Sequence, residues 1–509
     1  MVLTKEQIEK WYKSQAWEKD WVADAVATGT ITPEEYLAIT GEEYTDSSAP
    51  PKPVKNLVAE KLTAEDATFT GDVKIKGGKP VLTVAQSLTP AEQLQARLNI
   101  GIANEKRVCY GFHVNGSESN PENMITYVAD AVGMTPAKMD FEQSKFNWGS
   151  WQNAFFMPKP CMLKYDGKVA YFLNPDDYTQ KLGGGKSDVD NDDFEGNAMM
   201  QWPLIWWKVV PDAEDSSSAT IYIANYKVDE GFNAWSNINS KGQLIPYFYT
   251  PIYNGTQVGT RLRSLSGNKL VLNKQTANKE VELAKANNVT TATEWWTEVY
   301  ADNILIEFLG MLIGKSMNTQ ATFGRGCDTM LEAGVYENTS YLRTGTGDKK
   351  GMFWGENTTG KSVVKFFGME NFWASSWRRY AGHVLAAGEE KVKLTWGTED
   401  GSTTIGYNFT GEGYIPTGRT KDEVASGNGY TKTMHFSKYG MCPQVAVGGS
   451  ATTYYSDYFW WNNADVRYAI RGGSSNFGAY CGLFCLALYD LVSLTYWDCG
   501  AAVSCKPLA

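Results

Sequence analysis

The stretch that most constrains this chain is its last one, RYAIRGGSSNFGAYCGLFCLALYDLVSLTYWDCGAAVSCKPLA, running from Arg467. Successive side chains of a strand point to opposite faces. Between Leu483 and Tyr489 the apolar Phe484, Leu486 and Leu488 therefore share one side, and Ala487 and Tyr489 share the other. Around this strand, Arg471, Gly472, Gly473, Gly482, Phe484, Leu486, Leu488, Trp497 and Gly500 supply turns and apolar anchors. Interleaved with them stand Ser474, Ser475, Asn476, Phe477, Tyr480, Ala487, Tyr489, Asp490, Leu494, Tyr496 and Asp498, which follow no packing pattern of their own. Such a segment is expected to keep its anchors in a core and to turn the interleaved residues to solvent.

Composition narrows the function classes. Aromatic residues make up 13% of the chain, with 18 Trp and 28 Tyr, a bias that suits recognition surfaces. The net charge of −10 argues against a nucleic-acid partner, which favours a basic surface. No apolar run approaches the ~20 residues that span a bilayer, and the polar opening MVLTKEQIEKWYKSQ does not read as a secretory signal. Eight cysteines scattered through 509 residues, without a CxxC pair, read as reduced and mostly buried thiols.

Along the chain, residues 1–46 form a helical unit. Thr4 with Gln7 gives one capping box, and Thr32-Pro33-Glu34-Glu35 gives another start, with Pro at the first helical position. The Pro- and Lys-rich segment from Ser47 is a linker. Val73 and Ile75, the Gly77-Gly78 turn and Val81–Val84 then make a small hairpin, so 47–105 reads as linker and β-containing stalk. Units this small lack a sufficient core, and trimeric association is the physical expectation. From Lys106 the sequence turns aromatic and glycine-rich. A helix is expected from about Glu122, a hairpin at Asp166-Gly167, and paired strands in IWWKVVP and ATIYIANYKV. A long helix is expected through Trp296, Tyr300, Ile304 and Phe308.

Four resemblances fit this layout. The segment GTITPEEYLAITGEEY resembles the short XkdX-type module found near phage tail genes, and LTPAEQLQARLNIGI resembles a segment common in phage fibre proteins. VVKFFGMENFWASSWRRYAG resembles a motif shared by lectin-like and formylglycine-generating-type folds: Gly368, Met369, Glu370, Asn371, Trp373 and Trp377 stand at matching places, while Ser375-Ser376 replace the usual Gly-Asn. The C-terminal stretch resembles the variable region of phage proteins diversified by retroelements. In that family, adenine-specific mutagenesis of Asn codons reaches only amino acids with NNC codons, and all eleven interleaved residues belong to that set. The resemblance implies an α+β chain with a C-type-lectin-like distal domain over 106–509, insertions included, and a variable region at about 467–509.

Most apparent chemistry is set aside. Asp188, Asp190 and Asp192 imitate the start of a calcium loop, but Asp193 replaces the turn glycine and Met199 the closing Glu. His113, His383 and His435 lack Cys or Asp company at ligand spacing. Cys481 and Cys485 sit among small and apolar residues, without basic neighbours that would make a thiolate, although formylglycine-generating enzymes place a cysteine pair near this end. The expectation is therefore a non-enzymatic phage receptor-binding protein without catalytic residues, cofactor or metal. It would sit on the virion through its N-terminus, assemble as a homotrimer, and meet a bacterial surface receptor, protein or glycan, with the eleven interleaved residues. It would contact neither nucleic acid nor membrane interior. The competing expectations are a structural head or tail fibre, a formylglycine-type oxidase, or a depolymerase, which needs paired carboxylates in a groove.

Overall fold

The computed structural model describes residues 4–14, 17–27, 29–44, 106–420, 428–445, 448–462 and 464–508, together with the strand backbone at 73–74 and 80–81. Three short helices open the chain: Lys5–Lys13, Lys19–Ala27 and Pro33–Thr40. Both expected caps form. Thr4 N–H donates to Gln7 Oε1 at 3.0 Å, while Glu35 N–H donates to Thr32 Oγ1 at 3.2 Å and Thr32 N–H to Glu35 Oε2 at 2.9 Å. Ile8, Val22, Ile31, Tyr36 and Ile39 form a small core of their own. In the stalk region, Val73–Lys74 pairs antiparallel with Pro80–Val81; the expected Gly77-Gly78 turn and the remainder of 47–105 lie outside the described residues.

From residue 106 the chain is mixed α and β, rich in strands and poor in helices. The expected hairpin joins Lys159–Lys164 to Val169–Asn174, and Trp206–Pro211 pairs with Ala219–Ala224 over its full length. Two expectations need correction. The helix from Glu122 is instead the strand Ile125–Ala129, whose β-branched and aromatic ITYV run pairs with Cys109–Val114. The long helix begins only at Tyr300: Trp296 belongs to the strand Thr293–Thr297, held by Val503–Pro507, and the helix runs Tyr300–Gly314. Every residue of that helix except Glu307 is buried, because sheets cover it on several sides. At Gly310 a β-carbon would stand 2.6 Å from Leu483 and 2.8 Å from Phe366, so the absent side chain lets the C-terminal segment lie against the helix.

Two large sheets organise this part. One has seven strands, and the last strand of the chain, Val503–Pro507, is inserted between Phe248–Pro251 and Thr293–Thr297. The other runs Ile415–Thr420, Glu389–Val392, Trp377–Ala386, Arg467–Arg471, Leu486–Leu488, Tyr458–Trp461, Gly429–Tyr430, and Cys499–Ala501 adds in parallel beside Trp377. Among the described residues no helix is long and apolar enough to cross a membrane.

A buried ion cluster fastens this second sheet to the loop before it. Glu298 lies 2.7 Å from Arg471 and 3.3 Å from Arg378, all three almost fully buried. Arg378 also donates to the carbonyls of Glu370 and Asn371, and Arg471 donates to that of Phe372 while lying over its ring. Burial alone would raise Glu298, but the two guanidinium groups together hold its carboxyl below the ordinary range. We expect Glu298→Gln to destabilise the chain by about 3–5 kcal/mol, because it leaves two buried cations without their counter-charge. Urea denaturation at neutral pH measures this, and a loss under about 1 kcal/mol would refute the assignment.

Candidate functional site

The site is built on the register of three adjacent strands. Ala487 stands opposite Ile470 on one side and Trp460 on the other, so these three side chains form a row across one face of the sheet. The neighbouring row, Phe459, Leu486 and Arg471, points to the opposite, interior face. Tyr458–Trp461 shows the same alternation: Phe459 and Trp461 are buried, with Arg419 over both rings, whereas Tyr458 and Trp460 are partly exposed. On this outer face Trp377 and Trp460 are joined by Phe477, from the loop after Arg471. Their ring centroids are 5.2–5.5 Å apart and every pair is close to perpendicular, at 76–82°. Edge-to-face contacts of this kind fix ring orientation as well as burying area.

These elements enclose a cleft of about 430 Å³, lined by Trp377, Asn428, Trp460, Ile470, Asn476, Phe477, Ala487, Tyr489, Asp490, Tyr496, Trp497 and Asp498. The row of small and apolar residues is its floor. Tyr489 and Tyr496 stand at its rim, 42% and 46% exposed. Trp497 stacks on Tyr341, with centroids 5.9 Å apart, and meets Tyr336 edge-on. Beyond Trp460 the aromatic surface continues through Tyr458, Tyr480 and Tyr430.

Seven of the eleven interleaved residues thus meet in one cleft: Asn476, Phe477, Ala487, Tyr489, Asp490, Tyr496 and Asp498. Tyr480 is exposed on the adjoining aromatic surface. Leu494 is half-buried, and its carbonyl accepts from Arg379. Several expectations of exposure fail. Ser474 and Ser475 are buried: Ser474 Oγ donates to Asp498 Oδ2 at 2.6 Å, and Ser475 N–H to the Ser375 carbonyl at 3.1 Å. Asp498 is also buried, its carbonyl accepting from Trp377 N–H and Ser376 Oγ. Ala487 faces away from Leu486 and Leu488 as the alternation requires, yet is only 3% exposed because the aromatic walls cover it. Trp497, expected as a core anchor, is instead part of the cleft wall. Trp377 and Trp460 were missed as site residues. The alternation of YFWW carried a signal for Trp460, whereas Trp377 reaches the cleft only through sheet pairing.

Two carboxylates face this cleft. Burial pushes Asp490 up to about 6; Asp498 adds to that, while Arg379 and Arg467 oppose it. Asp498 is likewise raised by burial, against the hydrogen bond from Ser474. Arg379 is committed elsewhere, to Glu280 at 2.7 Å and to the carbonyl of Gln275.

Other charged clusters among the described residues pair within the fold, although Arg419 Nη1 and Nη2 have no hydrogen-bond acceptor. His383 has company that its sequence surroundings did not reveal: its ring lies with Glu390 and Cys442, the possible ligand atoms all within 4.8 Å of one another. Arg419 occupies the same place, 2.7 Å from Glu390, and His383 is bonded to Glu390 and to Tyr380. Against the cost of burial, Arg419 and His383 hold Glu390 at about 2. A carboxylate neutralised in this way completes a structural network rather than a cation site. Asp188, Asp190 and Asp192 diverge onto Tyr171, Lys186 and Lys269. A smaller depression of about 260 Å³ contains the Asp348 carboxylate, which already accepts from Tyr253 and Ser266.

All eight thiols are free, and all but Cys109 are buried. Burial raises Cys481 and Cys485 well above the ordinary thiol range, and Cys481 Sγ donates to the Ser474 carbonyl. We expect brief alkylation of the native protein to label Cys109 alone; peptide mapping that finds Cys481 or Cys485 labelled first would contradict this burial.

No curated protein matches the chain. Residues 6–44 match the model of a family described as phage uncharacterised protein (XkdX), which marks the three N-terminal helices as a phage-protein module.

Proposed function

We propose that this chain is a non-enzymatic phage receptor-binding protein of the retroelement-diversified type, and that the cleft is its receptor-binding site. The observation that carries the reading is the convergence of seven interleaved residues in one cleft, on a floor and walls supplied by the sheet. The N-terminal helices then serve as the virion attachment, in keeping with their match to a phage family. The distal part, in this reading, is a C-type-lectin-like domain whose anchors tolerate variation because Phe484, Leu486 and Leu488 remain in the core. Rigid tyrosine and tryptophan faces with small polar neighbours are the contact chemistry of antibody paratopes. The copies would form a trimer through the stalk, and trimers repeated on a virion raise avidity ~10²–10⁴-fold over one site. The receptor is a molecule of the bacterial surface, and the adsorption step needs no catalytic residue, cofactor or metal.

The central test separates binding from stability. Tyr489→Asn and Tyr496→Asn should change which cells are bound while shifting unfolding by no more than about 0.5 kcal/mol. Leu486→Ala should instead cost about 2–5 kcal/mol through a core cavity. Trp497→Ala belongs with the tyrosines, as a wall residue whose loss weakens binding more than folding. Cell adsorption and melting of the same four variants decide the matter; tyrosine variants that adsorb unchanged would overturn the proposal. For assembly, light scattering at micromolar concentration should give three times the chain mass, and a stable monomer would exclude the trimer.

A further inference from the structure

The cleft has a charge character that its general role does not explain. Among the described residues its lining includes two carboxylates, Asp490 and Asp498, and no lysine, arginine or histidine. Asp498 has its donor in Ser474, but among the described residues no hydrogen-bond donor engages the Asp490 side chain. Six of the other lining residues are aromatic, beside Asn428, Asn476, Ile470 and Ala487, and Trp377, Trp460 and Phe477 meet at near right angles in one corner. Ring faces set at right angles beside a carboxylate stabilise an organic cation, whose diffuse charge is attracted by each ring face and whose methyl or methylene groups fill apolar space. A neutral ligand would leave the Asp490 carboxylate desolvated and unpaired, which is costly.

We propose that this cleft takes an alkylammonium group, borne as a small substituent on a glycopolymer of the host surface. The inference rests on the receptor-binding reading and names the ligand chemistry of that site. A small substituent is favoured over a protein surface because about 430 Å³ falls in the range that encloses a small molecule. Ala487 lies on the floor between Ile470 and Trp460, beneath the aromatic walls, where a larger side chain has no space except into the cleft. The charged groups around Asp490 are Asp498, Arg379 and Arg467; Arg379 is bonded to Glu280, and Arg467 lies 3.6 Å from Asp465. Binding of a cation requires ionised carboxylates, so affinity is lost as pH falls through the titration of Asp490 at about 6.

The test uses the full chain and choline, which keeps its charge at every pH, beside its neutral carbon isostere 3,3-dimethylbutan-1-ol. Calorimetry at about pH 7.5 should show choline bound at least about tenfold more tightly than the isostere, with the preference lost at about pH 4.5. Asp490→Asn should remove the preference, and Ala487→Phe should abolish binding by filling the floor. Melting curves report whether either variant is folded, and Asp490→Asn, nearly isosteric, carries the result if Ala487→Phe is not. Equal binding of choline and isostere, or no binding of choline, overturns the inference. Tighter binding of Nα-acetyl-lysine methylamide than of choline also overturns it, in favour of a protein lysine. Choline, but not the isostere, should displace the protein from host cells. If cell binding responds to Tyr489→Asn yet ignores choline, the ammonium inference falls and the receptor reading stands. If choline binds but the tyrosine variants adsorb unchanged, the receptor reading falls instead.

Discussion

Glu298 is the constraint on which the rest depends. Its carboxylate lies just before the long helix and answers two arginines from adjacent strands, Arg378 and Arg471. Both arginines also bind carbonyls of the Glu370–Phe372 turn. A single buried charge thus fixes helix, sheet and turn to one another. Pairs of this kind are seldom worth much relative to an apolar replacement, but they are costly to break, which makes them devices of register. Here the register matters, because the cleft floor exists only if the strand bearing Ile470 and the strand bearing Ala487 align as they do.

The same economy governs the edges of the cleft. The backbone of Asp498 is held by Trp377 and Ser376, and its side chain by Ser474. Gly473 and Gly482 have no room for a side chain: a β-carbon would stand 2.4 Å from Cys481 Sγ in one case and 2.1 Å from the Asp457 carboxylate in the other. Between these fixed points, Asn476, Tyr489 and Tyr496 project without structural duties. A surface so arranged can change its chemistry at the rim and keep its shape at the base, because rim substitutions create no cavity and leave no buried group unpaired.

Legibility followed the range of the interactions. The capping boxes at Thr4 and Thr32, the Asp166-Gly167 turn and the pairing of Trp206–Pro211 with Ala219–Ala224 are local, and were readable from spacing alone. The strand at Ile125–Ala129 was not, because its partner Cys109–Val114 decides its conformation. Trp296 fits a helical period and a strand equally well, and the distant Val503–Pro507 settled the choice. His383 shows the same limit, since Glu390, Arg419 and Cys442 assemble around it only in three dimensions.

By itself the sequence determined that Leu486 and Leu488 share one face and Ala487 the other, because side-chain alternation in a strand is a property of the local backbone. It also determined the helical character of the N-terminal module, whose caps and apolar spacing are contained within a few turns. Tertiary structure alone decided exposure. Ala487 lies on the outer face yet is buried, since Trp377 and Trp460 from other strands and Phe477 from the preceding loop cover it. Ser474 and Asp498 were drawn inward by a mutual hydrogen bond, and Trp497 was left at the wall by its stacking on Tyr341. Parity along a strand fixes the direction of a side chain; what that side chain meets depends on segments distant in the chain, as Tyr341 is from Trp497, 156 residues on.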